Sequence, residues 1–384
     1  MVSIIVGAVA CAADFNVCEF GAKVEALPKE NAVAIQKAID AAAVKGGRVV
    51  VPAGTFVSGT LWLKSGVTLR LEKGAVLKAS PNFEDYNAED AYPENYGCPQ
   101  SEYWRGLHFL ITRCAQHVRI EGEGVIDGNG EAFFDPQPIR YFSWMKPGAD
   151  CWSNGIRWAK DKKNLRPGQL VVFVKCRDVE VEGITIRNSP CWCLFFHACE
   201  NVAVRNYTVR CGRDDGNTDG VDVDCSKNVV LENLDIDTGD DAVAIRASGW
   251  RLKMDAPPPC ENVVVRNARL RSNSSVFRIG VGEGEIRNVR VENVRSDFGG
   301  TAITMRTLYG DANKYGVDME NIVFRDCQFT NCRGAYHVVT GGKALTYGIR
   351  DVTFEKCTFP ADASRTISSM AGCPFKPERV RVLP

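Results

Sequence analysis

Histidine is scarce in this chain, with four among 384 residues, and none of its sixteen cysteines falls into a C-x-x-C pair. The histidines do not cluster with the cysteines either, which argues against a zinc site. Net charge is also missing: Lys plus Arg number 47 and Asp plus Glu number 47, so no overall field draws the chain to nucleic acid or to an anionic membrane. Any electrostatic function has to be local. The N-terminal apolar run "VSIIVGAVA" (residues 2–10) is too short to span a bilayer and is followed by Cys11-Ala12-Ala13. It reads as the end of a secretory signal over residues 1–13, although the usual basic n-region is lacking. The expected location is secreted or periplasmic, and "AVAC" also looks like a lipid-attachment box acting through Cys11.

What the chain has in abundance is one phrase. "QHVRIEG", "RDVEVEG", "ENVAVRN", "KNVVLEN", "ENVVVRN", "RNVRVEN", "ENIVFRD" and "RDVTFEK" are variants of a single short strand, centred on Val118, Val179, Val202, Val229, Val263, Val289, Ile322 and Val352. From Val179 onward the steps are 23, 27, 34, 26, 33 and 30 residues. A recurring strand at a variable period marks a solenoid whose loops differ in length from coil to coil. Four positions after the centres stand Asn206, Asn233, Asn267 and Asn293, with Gly122 and Gly183 in the same place. Asn and Gly tolerate left-handed backbone, so this file predicts one corner repeated up a stack. Alternation on each side of it predicts strands with one buried face. Cys176, Cys199, Cys225 and Cys260 recur just ahead of the centres, the pattern of stacked buried thiols.

The expected fold is therefore all-β, a single-stranded right-handed parallel β-helix, with residues 14–384 as one domain. The length would allow two or three average domains, but repeat folds exceed that measure without splitting. "AVAIQKAIDAAAVKGG" reads as an amphipathic helix ended by Gly46-Gly47 and suited to cap the open end of the stack. Residues 84–105 and 131–168 interrupt the repeat. The second interruption holds Phe133, Phe134, Tyr141, Phe142, Trp144, Trp152 and Trp158, which read as cleft walls that stack on sugar faces or as an apolar cluster beneath the loops.

Carboxylates crowd one region. "CGRDDGNTDGVDVDCSKN" carries Asp214, Asp215, Asp219, Asp222 and Asp224, and Asp235, Asp237, Asp240 and Asp241 follow. Aligning "NTDGVDVD" with "TGDDAVAIRA" pairs Val221 with Val243 and Val223 with Ile245, an offset of 22 residues, or one coil. Asp219 then stacks on Asp241, about 4.8 Å away. Carboxylates that close repel and raise at least one pKa. The arrangement suits chemistry in which one carboxyl donates a proton and others polarise water. Taken separately, "NTDG" and "TGDD" are also turn signals.

With "FNVCEFGA" and "AIQKAIDAA" near the start, then "CENVAVRN", "NTDG" and "TGDDAVAI", the chain resembles the polygalacturonase-like glycoside hydrolases, family 28, over most of its length. The resemblance implies a right-handed β-helix with an open side cleft, inversion at the anomeric carbon and no metal or other cofactor. It implies Asp240 as general acid, with Asp219 and Asp241 holding and activating the attacking water. Inverting pairs stand about 6.5–9.5 Å apart. Asn217 of "NTDG" falls in the same site. The partner implied is a pectic polysaccharide or oligosaccharide, bound by a probable monomer, with no nucleic acid and no membrane span.

The chain departs from the family at two places. Where polygalacturonate-cutting members carry Gly-His-Gly stands "NSS", with Ser274 at the His position; where they carry Arg-Ile-Lys stands "TMR", with Thr304 and Arg306. Strand parity puts Arg278, Arg306 and Arg246 on the cleft face, where arginines bind a uronate carboxylate through two bonds. Arg246 also stands opposite Asp224, so neutralising that aspartate is its other reading. Trp192 reads as a sugar-stacking or a core residue, and His197 as a structural hydrogen-bonder. These departures move weight toward rhamnogalacturonan or another branched pectin. Two other classes remain open: a pectate-lyase-like β-helix using the aspartates for calcium, and a non-catalytic carbohydrate-binding β-helix.

Overall fold

The computed structural model describes residues 13–88, 106–136, 157, 166–248, 258–308, 316–342 and 345–384. All the strand pairs in it are parallel and join into a single 26-stranded sheet. The repeat centres stand in one file: Val118, Val179, Val202, Val229, Val263, Val289, Ile322 and Val352, continued by Val380. The unequal steps in sequence are therefore absorbed outside the strands. A second file runs Leu110, Val171, Leu194, Val221, Val243, Phe277, Ile303 and Tyr336, and a third runs Ile126, Ile186, Val209, Ile236 and Leu270. All three face one core and are buried apart from the half-buried Val380. Each such side chain contributes roughly 1.5–3 kcal/mol of apolar burial. The chain is a right-handed parallel β-helix, as its repeat predicts.

The expected corner is present. Asn206, Asn233, Asn267 and Asn293 have φ of 52°, 55°, 56° and 51°, with Gly122 and Gly183 also in positive φ. A second corner, immediately before the repeat centres, escaped the sequence reading although its signal is plain in "ENV" and "KNV". Asn201, Asn228, Asn262, Asn288 and Asn321 are all left-handed there, joined by Asp178 and Asp351. Their side chains form a ladder: Asn228 Nδ2 donates to Asn201 Oδ1 at 3.1 Å, Asn262 to Asn228 at 3.0 Å, Asn288 to Asn262 at 3.2 Å and Asn321 to Asn288 at 2.8 Å. An amide suits this position because it both donates and accepts along the stack.

The capping helix spans Pro28–Lys45. Proline in its first turn forfeits no bond, and Glu30 Oε2 accepts from the Leu27 N–H at 3.2 Å. Ala34, Ile35, Ala38, Ile39 and Ala42 are buried against the first coil. Past the helix, Gly47 pairs with Ala13 so closely that a Cβ would lie 2.3 Å from the Ala13 carbonyl oxygen. Ala13, the last residue of the expected signal segment, thus belongs to the first strand, Ala13–Asn16, while residues 1–12 lie outside the described residues.

Most of the two interruptions also lies outside the described residues, including Tyr141, Phe142, Trp144, Trp152 and Trp158. Of their aromatics, Phe133 packs on Phe83 with centroids 5.4 Å apart, and Phe134 is buried beneath Arg157 and Arg166. These two belong to an apolar cluster rather than an exposed wall. The described cysteines carry free thiols; Cys176 and Cys199 are buried and bond to carbonyls of the stack. Among the described residues no helix is long and apolar enough to cross a membrane.

The ladder yields a prediction. Asn228→Ala should lower stability by about 1–2 kcal/mol, because it adds left-handed strain to the lost amide bonds. Asn228→Gly should cost about half as much, since only the bonds are lost. Thermal unfolding of the three proteins measures the difference; equal melting temperatures for the two variants would contradict it.

Candidate active site

Strands Val221–Asp224 and Val243–Ala247 pair with Val221 on Val243 and Val223 on Ile245, the one-coil offset read from the sequence. A polar turn precedes each strand, and the turns stack as the strands do: the Gly220 N–H donates to the Asp241 carbonyl at 2.9 Å. Thr218 stitches the two, its Oγ1 donating to Asp215 O at 2.9 Å and accepting from the Gly239 N–H at 3.2 Å. Asn217 takes the left-handed conformation, φ 55°, that the turn requires. The result brings Asp219, Asp240 and Asp241 together, with one carboxylate oxygen from each within 4.8 Å of the others.

The three carboxyls have different surroundings. Asp241 is buried and accepts from Ser274 Oγ and the Ser275 N–H, each at 3.0 Å, and from Arg278 Nε at 2.8 Å. Asp240 keeps some exposure at its edge, accepting from the Asn217 N–H at 3.0 Å and the Asp241 N–H at 2.9 Å. Asp219 is buried, and its Oδ1 has no hydrogen-bond partner among the described residues. Burial, then repulsion from Asp241, pushes Asp240 up to about 6, with Arg278 acting the other way. Burial also pushes Asp219 well above the ordinary carboxylate range, helped by Asp240, Asp222 and Asp241. The cluster therefore holds a proton at mildly acidic pH, where an isolated aspartate would not. Such a set can protonate a leaving oxygen and orient a water molecule.

The other sequence candidates divide. Ser274 and Arg278 join the cluster through Asp241, and Asn217 through Asp240. Thr304 is one step removed, its Oγ1 3.0 Å from Ser275 Oγ. Arg306 lies two positions further along the next strand and is exposed. Arg246 is buried between Asp222 and Asp224, each 3.7 Å away, which favours its neutralising reading. Trp192 is buried with the Arg246 guanidinium 4.4 Å from its ring centroid, and packs edge-on against Phe195. His197 is buried against the same ring, 5.4 Å from Phe195.

Three residues near the cluster were not foreseen. Ser275 supplies an N–H to Asp241. Arg166 is buried and donates to Gly216 O and Asn217 Oδ1, both at 2.7 Å. Arg157 donates through Nε to Asp215 at 2.6 Å and through its two terminal nitrogens to Glu131. Of these only Ser275 had a signal, its position one coil beyond Asp241.

The outer face of the same sheet is asymmetric. On the coils at and before the cluster, Val172, Val174, Phe195, His197, Asp222, Asp224, Ala244 and Arg246 are all buried, and Ile111, Val172, Val174, Cys191, Trp192 and Phe195 form a second apolar cluster outside the core. On the coils after it, Arg278, His337 and Val339 are partly exposed and Arg306 and Ser368 are open. The floor is buried from Val172 to Arg246, with Arg113 exposed one coil earlier, and it opens beyond the carboxylates at Arg278 and Arg306, with Thr304 still buried between those positions in register.

The three carboxylates are close enough to receive a cation, as are His197, Asp224 and Cys225. In both groups an arginine already supplies the positive charge: Arg278 on Asp241, and Arg246 against Asp224. Calcium, which takes six to eight oxygens, does not suit the donor set of His197, Asp224 and Cys225.

Residues 42–257 match glycosyl hydrolases family 28. The chain belongs to this family. It is 30% identical over 365 residues to an exo-poly-alpha-D-galacturonosidase of Dickeya chrysanthemi, an alignment covering 88% of this chain and 58% of that protein. The chain thus spans little more than half the length of that relative. Its structure superposes on a hyperthermoactive exopolygalacturonase from Thermotoga maritima with a TM-score of 0.68 at 24% identity, covering 97% of this chain and 91% of the other. For the polygalacturonase from Erwinia carotovora ssp. carotovora the TM-score is 0.61 at 21% identity, covering 98% and 99%. At these identities the structural likeness shows the shared fold.

The raised Asp240 has a measurable consequence. Its native pKa of about 6 exceeds the ordinary 3.8, so between those values the folded chain holds a proton that the unfolded chain has released. Stability from this group is present below about pH 4 and is lost as pH rises through about 6. Asp240→Asn should therefore be more stable than the wild type at pH 7, by on the order of 1–3 kcal/mol, and the gap should close at pH 4. Denaturant midpoints at the two pH values measure it; a gap of the same size at both would place the effect elsewhere.

Proposed function

We propose that the chain is a glycoside hydrolase acting on an α-linked galacturonate-containing pectic polymer or oligomer. The observation that carries the reading is the meeting of Asp219, Asp240 and Asp241 in a chain of family 28. In this reading Asp240 is the general acid. Its carboxyl is pushed up to about 6, within reach of a working pH that lets it donate to the leaving oxygen. Asp219 and Asp241 hold the attacking water, Asp241 being oriented by Ser274, Ser275 and Arg278. Arg306 and Arg278 are the cations this reading assigns to a uronate carboxylate, with Thr304 on the strand of Arg306 and paired with Arg278. The reaction is a single displacement with inversion, as the family resemblance implies. No cofactor enters it.

The buried floor from Val172 to Arg246 supports removal of terminal units rather than internal cutting, because in this reading a polymer extends from the site in one direction only. The N-terminal apolar segment supports a secreted or periplasmic location, and a site complete within one chain supports action as a monomer.

Oligogalacturonate and rhamnogalacturonan oligomers followed by proton NMR test these points together. The expected first product from an α-linkage is the β-anomer; the α-anomer would establish retention. A terminal-acting enzyme releases one size of small product from the start, whereas an early ladder of intermediate lengths would mean internal cutting. Absorbance of an unsaturated product in the ultraviolet would mean a lyase. Asp240→Asn should lower kcat at least about a hundredfold while oligomer binding stays within a few-fold; unchanged turnover would remove Asp240 from the acid's role.

A further inference from the structure

Arg166 is among the largest fully buried side chains described, at 1% exposure. It stands outside the repeat, yet its guanidinium reaches the turn that carries Asp219. Nη1 donates to the Gly216 carbonyl and Nη2 to Asn217 Oδ1, both at 2.7 Å, and the planar group rests 5.2 Å from the Phe134 ring centroid. Asn217 in turn directs its own N–H to Asp240 Oδ2 at 3.0 Å. Two hydrogen bonds thus connect Arg166 to Asp240, and Asp219 follows two residues after Asn217.

A guanidinium does not give up its proton in a protein interior, so burying one is costly unless anions surround it. Burial pushes Arg166 down, and Cys191, Asp240, Asp215 and Asp219 oppose that shift. Asp215 is already bound by Arg157 at 2.6 Å. Asp219, raised by burial and by Asp240, and Asp240, raised by burial and by Asp241, are the other carboxyls whose charge acts on Arg166. A lysine could supply the charge but not the planar fork that spans two acceptors.

We propose that Arg166 is a positioning residue for the hydrolysis, locking the 216–219 turn through Asn217 so that the Asn217 N–H meets Asp240, with its buried charge set behind Asp219 and Asp240. The proposal rests on the hydrolase reading for its kinetic consequences but not for its electrostatic one. Arg166 touches no reacting atom in this arrangement. It acts through Asn217 and through the field on the two carboxyls, whose other neighbours are Asp241, Asp222, Arg246, Arg278 and Ser274.

Three variants separate hold from charge. Arg166→Lys should lose roughly tenfold to a hundredfold in kcat through misplacement, with KM nearly unchanged and the pH profile in place. Arg166→Gln should lose at least as much, and its pH–rate bell should move to higher pH, because removing a cation raises both carboxyls. Asn217→Gly keeps the left-handed backbone and removes only the acceptor; it should resemble Arg166→Lys, and it carries the kinetic test if the Arg166 variants do not fold. In aspartate-labelled protein, the Asp240 carboxyl carbon signal, assigned by its loss in Asp240→Asn, should titrate at higher pH in Arg166→Gln than in the wild type. That measurement needs no turnover. Wild-type protein that leaves every galacturonate oligomer intact would reject the substrate reading and leave the titration to judge Arg166. Folded Arg166→Gln with an unmoved Asp240 titration and an unmoved bell would overturn the proposal, as would Asn217→Gly with wild-type kcat.

Discussion

The structure depends on parallel backbone pairing at a fixed spacing. Each coil is hydrogen-bonded in register to the next, so a residue at a given point of one coil faces its counterpart about 4.8 Å along the axis. For apolar residues the consequence is favourable: the files through Val202 and Val229, or through Val221 and Val243, extend one continuous core. For charges the same rule is coercive. Asp219 and Asp241 are held together by bonds their own repulsion cannot break, because the turns carrying them are tied by Gly220 to Asp241 and by Thr218 to Gly239. In the proposed hydrolysis, destabilisation at this point is what supplies the acid, since a proton is retained where an isolated aspartate would release it.

The stack resolves its other charges differently. Asp222 and Asp224 lie on the same strand, also buried, but Arg246 comes up opposite them from the next coil. On the surface, Arg119 meets Glu121, Glu180 and Glu182 on its own and the neighbouring coil. Such exposed ladders satisfy the register at little net gain in stability. Asp219, which forms no ion pair among the described residues, is the contrast, and that contrast separates a site from a neutralised surface more clearly than the number of carboxylates does.

Much of the fold was legible in the chain because a solenoid writes its geometry as repetition. The eight centres predicted the file, the asparagines four places on predicted one corner, and the offset of 22 predicted which aspartates would meet. The second corner, at Asn201, Asn228 and Asn262, was equally periodic; it was overlooked because asparagine beside a strand centre reads as an ordinary exposed strand position. The surroundings of Asp240 were not legible, because the Asn217 and Asp241 N–H groups reach it through the shape of the turn rather than through the strand repeat. Arg166 was beyond reach for another reason. Its partners are fifty residues away in a different segment, no periodicity connects them, and burial of an arginine leaves no local mark in sequence.

The asparagine ladder has a consequence for how such proteins diversify. Because amides pin one corner of five successive rungs, the register of the strands there does not depend on how many residues the opposite excursions contain. Coils of 23 and 34 residues coexist in this chain with their centres still aligned. Segments that border a cleft can therefore lengthen, shorten or be exchanged while the acidic groups beneath them keep their mutual placement. A scaffold of this kind separates the part that reacts from the part that chooses, and lets selection act on the second without endangering the first.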